Sequence, residues 1–278
     1  MSGPILVVGA DGVIGSSLYR SLRAHEVPVI GTSRRAGSRN FLPLDLAAPP
    51  ADLANYRAAV LCAGITSLAA CRNDPDATRL INVENSLALA QRLASYGTFV
   101  VGLSTNLVFD GAVARRAPTD PPAPLCEYGR QKAQLESGII AAGGAIVRLT
   151  KVLDQGTALL RNWVSDLKAS TPIHAFIDMW MAPIRLGSVV AALFALLCSP
   201  RRGFFQLSAS NDVSYAEAAL LLCKALGADE RLVFCEAAPS TIPAAERPRF
   251  TALDTARAEA ELGWRTAAAQ DPIGELAS

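Results

Sequence analysis

The chain is predicted to fold as a doubly wound α/β protein, a parallel sheet with helices on both faces and a smaller C-terminal lobe. Three observations predict it. Short apolar runs alternate with helical patterns through the first half, a glycine-rich turn joins the first run to the first helix, and after Leu149 prolines break the chain into shorter pieces. Strand and helix in alternation imply right-handed crossovers, and so parallel strands covered on both sides.

In order, the first strand is Ile5 to Val8, followed by a helix from about Gly12 to Ala24 and a second strand, Val27 to Gly31. A third strand candidate precedes Asp45-Leu46, and a fourth, Ala59 to Cys62, runs into Ala63-Gly64. A helix from about Asp76 to Tyr96 has its own start signal, with Asp74 as N-cap and Pro75 at the first helical position. Thr98 to Leu103 and Ala145 to Leu149 are buried strands flanking a helix from about Tyr128 to Ala142, which follows a proline-rich loop, Arg116 to Pro124. Beyond them, helices are predicted at Ala158 to Lys168, Leu186 to Cys198, Ser214 to Leu226 and Asp254 to Leu262. Ser214 with Glu217 reads as a capping box. Residues 1–150 are expected to form the main domain, and 151–278 a substrate lobe that returns some elements to the sheet.

With 278 residues the chain can bury a substantial core, and 26 basic against 25 acidic residues leave no global field for nucleic acid or an anionic membrane. The cysteines (Cys62, Cys71, Cys126, Cys198, Cys223 and Cys235) show no C-x-x-C pair, and with only His25 and His174 no metal site is expected. Reduced, mostly buried thiols are the expectation. The longest apolar run, Val189 to Cys198, is too short to span a bilayer, and no leader pattern opens the chain. A cytoplasmic protein is expected.

The turn Gly9-Ala10-Asp11-Gly12-Val13-Ile14-Gly15 stands where a strand hands over to a helix. Small residues let a pyrophosphate approach the backbone, and the helix N-terminus offers unpaired N–H groups and a favourable dipole. Gly9, Gly12, Val13, Ile14 and Gly15 are therefore cofactor candidates. The second strand runs on into Ser33-Arg34-Arg35, where a cofactor lacking the 2′-phosphate would usually meet an acid. Two guanidinium groups there predict NADPH rather than NADH. Asp45 and Leu46, and the small residues Cys62, Ala63 and Gly64, complete the cofactor set.

Ser104-Thr105-Asn106-Leu107-Val108-Phe109-Asp110-Gly111 and Tyr128-Gly129-Arg130-Gln131-Lys132 supply a hydroxyl, a phenol and an ammonium. Tyr128 and Lys132 share one helix face, and the ammonium is expected to stabilise the phenolate. Tyr128 can then give a proton to a carbonyl oxygen that Thr105 also holds. Ser104 is the weaker hydroxyl candidate.

At these residues the chain resembles the extended short-chain dehydrogenase/reductase superfamily, and more narrowly the dTDP-4-dehydrorhamnose reductase-like family of nucleotide-sugar reductases. The resemblance runs through Gly9 to Gly15, Asn82-Val83, Ser104 to Gly111, Tyr128 to Lys132, Gly203 to Ser214 and Arg247 to Trp264. It implies a Rossmann domain, Thr105, Tyr128 and Lys132 as catalytic residues, Lys132 also on the nicotinamide ribose, and hydride transfer to a nucleotide-linked 4-keto sugar. The family usually reads Ser-Thr-Asp-Tyr at the strand end, where this chain has Asn106-Leu107. Related 4,6-dehydratases carry an Asp-Glu pair after the threonine, so dehydration is not expected here.

Thr66, Asn106, Asn162, Trp163 and Arg185 are substrate candidates, with Arg249 a further phosphate contact. His174, Phe176 and Trp180 are expected to share one face of a strand and to pack. Two alternatives stay open: a sugar-nucleotide epimerase that retains its cofactor, and a non-catalytic NADP-binding regulatory subunit. The helices at Asp76 to Tyr96 and Tyr128 to Ala142 would serve a homodimer or simply cover the sheet.

Overall fold

A computed structural model describes residues 3–35, 41–49, 55–154 and 157–277. Seven strands form one sheet: β1 (Ile5–Val8), β2 (Val29–Ser33), β3 (Leu42–Pro43), β4 (Ala58–Leu61), β5 (Phe99–Thr105), β6 (Ala145–Leu149) and β7 (Gly203–Leu207). Their order in space is β7-β6-β5-β4-β1-β2-β3. Every pairing is parallel. The strand order reverses between β1 and β4, whose carboxyl ends are level because Val8 lies opposite Leu61. Ligands of open α/β sheets bind at such a crevice.

The helices are α1 (Val13–Ala24), α2 (Leu68–Asn73), α3 (Pro75–Arg79), α4 (Ser86–Ser95), α5 (Glu127–Ala141), α6 (Ala158–Lys168), α7 (Leu186–Cys198), α8 (Tyr215–Leu226), α9 (Ala256–Leu262) and α10 (Gln270–Gly274). Alternate strand residues face opposite ways, and the helices divide accordingly. Ile5, Val7, Val60 and Val101 pack with Leu18 and Leu22 of α1 and Leu193 and Leu196 of α7. Leu6, Val8, Leu61 and Ile146 pack with Leu89 and Leu93 of α4 and Leu135 and Ile139 of α5. Beyond residue 150 the chain thus returns α7 and β7 to the sheet. The rest packs around α6 and α8, in a core continuous with that of the sheet, and the N-terminus of α8 carries the Ser214–Glu217 capping box.

The helix read over Asp76 to Tyr96 is not continuous. Asp74 does cap a helix through Ala77 N, but α3 passes into a π-helical turn, Leu80–Asn85, before α4 begins. Asn82 sits in that turn, its amide bonded to Ile65 on one side and Gln131 on the other. A wide turn is a common way to aim one side chain out of a helix, often at a functional site. The strand expected to carry His174, Phe176 and Trp180 on one packed face ends at Phe176. Its buried residues are Ile173 and Ala175, while His174 is exposed and stacks on Phe234. Trp180 belongs to a separate antiparallel pair with Ser214.

One buried ion pair ties these layers together. Arg148 of β6 is fully buried and donates from Nε and Nη2 to the two Glu136 carboxylate oxygens of α5, at 2.9 and 2.8 Å. Its Nη1 donates to Pro118 O and Gln206 Oε1, and Gln206 Nε2 donates to Arg116 O and Asp254 O. The proline-rich loop, α5, β6 and β7 are thereby held in register. Removing one partner strands a buried charge, whereas removing both does not. Arg148→Met is therefore expected to lower stability by about 3–5 kcal/mol in urea unfolding, and Glu136→Leu/Arg148→Met to recover much of that loss.

Candidate active site

The carboxyl edge of the sheet opens into two cavities, of about 470 and 260 Å³, that share Cys62, Ala63 and Gly64 at the end of β4. The smaller is lined by Gly9, Gly12, Arg34, Arg35, Asp45 and Leu46. Gly9 has φ +82°, and a Cβ there would meet the Ala63 backbone, so the turn closes tightly on the end of β4. Asp45 is exposed and its Oδ1 accepts from Ala47 N. Gly15 is buried in the first turn of α1, Val13 is exposed beside it, and Ser33 is buried at the end of β2.

The larger cavity brings Ile14, Thr66, Thr105, Asn106, Tyr128 and Lys132 together. Thr105 ends β5, level with Leu149 of β6, and its Oγ1 accepts from Leu107 N and donates to Asn106 Oδ1. Gly129 lets α5 approach this wall, because a Cβ there would collide with Leu107 O. Tyr128 and Lys132, one turn apart, consequently face the end of β5. Lys132 Nζ donates to Leu103 O at 3.1 Å and lies 5.8 Å from the Tyr128 ring centroid. Ser104 Oγ, also on the cavity wall, is buried with no partner among the described residues.

Burial dominates the electrostatics. It lowers the Lys132 ammonium to about 8, against an opposing pull from Glu136. It raises the Tyr128 phenol above its ordinary value, with the Cys71 and Cys126 sulfurs adding to the effect. Against the expectation of a phenolate favoured by Lys132, burial holds Tyr128 as a phenol, ready to donate. Burial also pushes the Cys62 thiol up to about 12, leaving it inert.

Three substrate candidates stand apart from this cavity. Asn162 is exposed on α6, and Trp163 is buried, edge-on to Tyr215, because it lies on the helix face that packs into the core. Arg185 pairs with Glu275 at 2.6 Å. Arg249 is exposed, its guanidinium 3.7 Å over the Trp180 ring. In their place the outer wall is built from Lys151, Met179, Trp180, Met181, Tyr215, Glu246 and Arg247. Arg247 donates to Asp178 at 2.5 Å, and Glu246 pairs with Arg72 of α2. Only Arg247, inside the segment that carried the resemblance, had a sequence signal. Met179, Trp180, Met181 and Tyr215 reach the cleft through the antiparallel pairing of Trp180 and Met181 with Ser214 and Val213, Lys151 follows the end of β6, and Glu246 lies in the turn Ala244–Glu246.

A family model described as the RmlD substrate binding domain matches residues 3–277. The chain belongs to this family. Among relatives, the "Probable low-salt glycan biosynthesis reductase Agl14" of Haloferax volcanii is 26% identical over 97% of this chain and 96% of its own. A dTDP-4-keto-6-deoxy-D-glucose reductase of Streptomyces niveus is 26% identical over 89% of this chain and 87% of its own. Methionine adenosyltransferase 2 subunit beta of Bos taurus is 25% identical over 94% of this chain and 84% of its own. The dTDP-4-dehydrorhamnose reductase of Bacillus anthracis, crystallised in complex with NADP, matches with a TM-score of 0.84 over 99% of each chain at 18% identity, a likeness of fold. This RmlD-family chain has Asn106-Leu107 after Thr105, so an amide and an apolar side chain line the cavity at the strand end.

The lowered Lys132 value has a measurable sign. Between about pH 8 and 10.5 the unfolded chain binds more protons than the folded one, so stability attributable to Lys132 rises with pH across that window. Lys132→Met, freed of the buried charge, is expected to unfold at a higher temperature than the wild type at pH 7. Thermal melts should show that advantage shrinking towards pH 10, and a constant difference would contradict the buried ammonium.

Proposed function

We propose that the chain catalyses NADPH-dependent reduction of the keto group of a nucleotide-linked 4-keto-deoxysugar. The observation that carries the reading is the convergence of the Thr105 hydroxyl, Tyr128 phenol and Lys132 ammonium on a cavity continuous with the glycine turn. The relatives named as sugar-nucleotide and glycan-biosynthesis reductases support the same class. The smaller cavity suits a dinucleotide: Gly9 and Gly12 leave backbone accessible at the N-terminus of α1, and Arg34 and Arg35 offer cations beside it. Bound there, NADPH supplies the hydride.

The chain's own groups handle the oxygen. Turned away from Asn106 Oδ1, the Thr105 hydroxyl can donate its one hydrogen to the keto oxygen, restraining it beside Tyr128. As hydride adds to the carbon, the Tyr128 O–H bond breaks and its proton passes to that oxygen, leaving an alcohol and a tyrosinate. Lys132 then stabilises the tyrosinate, which burial otherwise disfavours. Lys151, Arg247 and the Trp180 ring provide cations and an aromatic face suited to a nucleoside diphosphate. With Asn106-Leu107 after the threonine there is no acid pair for water elimination.

The likeness to a methionine adenosyltransferase subunit over 94% of this chain favours a second reading, a dinucleotide-binding subunit without turnover. The two separate on one experiment. With a panel of nucleotide-linked 4-keto sugars, Tyr128→Phe is expected to slow NADPH consumption by about 10²–10⁴-fold while NADPH affinity changes little. NADPH binding without consumption on any sugar would support the second reading and sink the first.

A further inference from the structure

Among the described residues that line the larger cavity, Glu246 is the only acid, set against the cations Lys132, Lys151 and Arg247. An anion at the phosphate end of such a site would repel its ligand, so its place in the cavity matters. That place is beside the catalytic end. Ala245 packs on the cluster of Cys71, Cys126 and Tyr128, and Pro248 closes on Gly111, where a Cβ would collide with it. The Cys126 thiol, raised chiefly by burial, is raised further by the Glu246 charge, and Cys126 stands two residues before Tyr128. Arg72 of α2 donates to Glu246 Oε1, while Oε2 takes no bond from the described residues. With its side chain only 10% exposed, Glu246 keeps one acceptor oxygen for whatever fills the cavity.

We propose that Glu246 is a specificity-determining residue for the sugar ring: it accepts a hydrogen bond from the hydroxyl next to the keto carbon, so the substrate is a 4-keto sugar that retains its 3-hydroxyl. The inference rests on the reductase site proposed above and narrows its substrate class. Thr105 and Tyr128 fix the keto oxygen, and an acid at their side of the cavity meets the ring atoms flanking that carbon. In a 6-deoxy sugar, carbon 5 carries only the ring oxygen and a methyl group. Carbon 3 is then the flanking position that offers a donor, and a carboxylate can only accept.

The size of the effect follows from what the carboxylate loses. A ligand without the 3-hydroxyl would cover Oε2 and leave it unpaired, whereas Oε1 keeps Arg72 in either case. Loss of a single hydrogen bond to a charged acceptor corresponds to about 10–100-fold in affinity or in kcat/KM.

Two ligand pairs test this. Nucleotide-linked 4-keto-6-deoxyhexoses with and without the 3-hydroxyl are compared by kcat/KM with NADPH, and their reduced forms by calorimetry, which needs no turnover. Wild type is expected to favour the 3-hydroxy member of each pair by about 10–100-fold. Glu246→Ala should bring both ratios to within about threefold of unity, chiefly by weakening the 3-hydroxy compounds. That substitution leaves Arg72 at a position 41% exposed, where water replaces the carboxylate. Arg72→Ala, which releases the segment from α2 but keeps the carboxylate, is expected to weaken both members alike and preserve the preference. If Glu246→Ala also weakens both alike, Glu246 only straps its segment to α2 and the proposal is overturned. A wild type that reduces these sugars without preference overturns the role of Glu246 alone. One that neither reduces nor binds any of them removes the reductase reading, and this role with it.

Discussion

Lys132 carries its ammonium into a buried position at the end of β5, where Nζ donates to Leu103 O. A charge so placed costs free energy unless its surroundings hold it, and the geometry of the cleft follows from how α5 meets that condition. Tyr128, Lys132 and Glu136 occupy successive turns of one helix face. Glu136 draws Lys132 back towards its charged form and is itself locked by Arg148. Phenol, ammonium and carboxylate thus lie along a single rail fixed to β5 and β6.

A second set of polar contacts holds the rail against the opposite wall. Gln131, on the neighbouring face of α5 and fully buried, accepts from Asn82 Nδ2 at 2.9 Å and donates to Thr78 Oγ1 at 2.9 Å. Asn82 in turn bonds both the N–H and the carbonyl of Ile65, beside Gly64 on the cavity wall. The π-helical turn is the backbone adjustment that lets Asn82 reach both partners. Backbone regularity is given up where buried polar groups gain partners, as the cost of leaving them unpaired demands.

Much of this was legible in the sequence. β1 and β6 run between the residues the apolar pattern marked, and Asp74, Pro75, Ser214 and Glu217 behave as helix-start signals. That Thr105, Tyr128 and Lys132 line one cavity follows from a strand end and a one-turn helical spacing, both local features, though the spacing alone did not single them out. Trp163 misled for a physical reason: an aromatic that suits a nucleobase suits a hydrophobic core equally, and its helix face decided between them. Trp180 misled in the opposite direction, since a bend after Phe176 carried it out of the expected strand and onto the cavity wall.

By itself, then, the sequence determined the alternation of strands and helices as far as β6, the tight turn after β1 and the residues that face the end of β5, whereas the strand β7 beside β6 was not read from it. These follow from backbone sterics and side-chain periodicity, which act over a few residues. Only the tertiary structure decided that Asp11 meets Ser33 and Arg35, that Arg148 finds Glu136, Gln206 and the proline-rich loop, and that Trp180 and Arg247 close the outer wall. Each is a polar or aromatic side chain whose partner lies far along the chain, and which partner it takes is settled by the crossovers that bring their elements to one edge of the sheet.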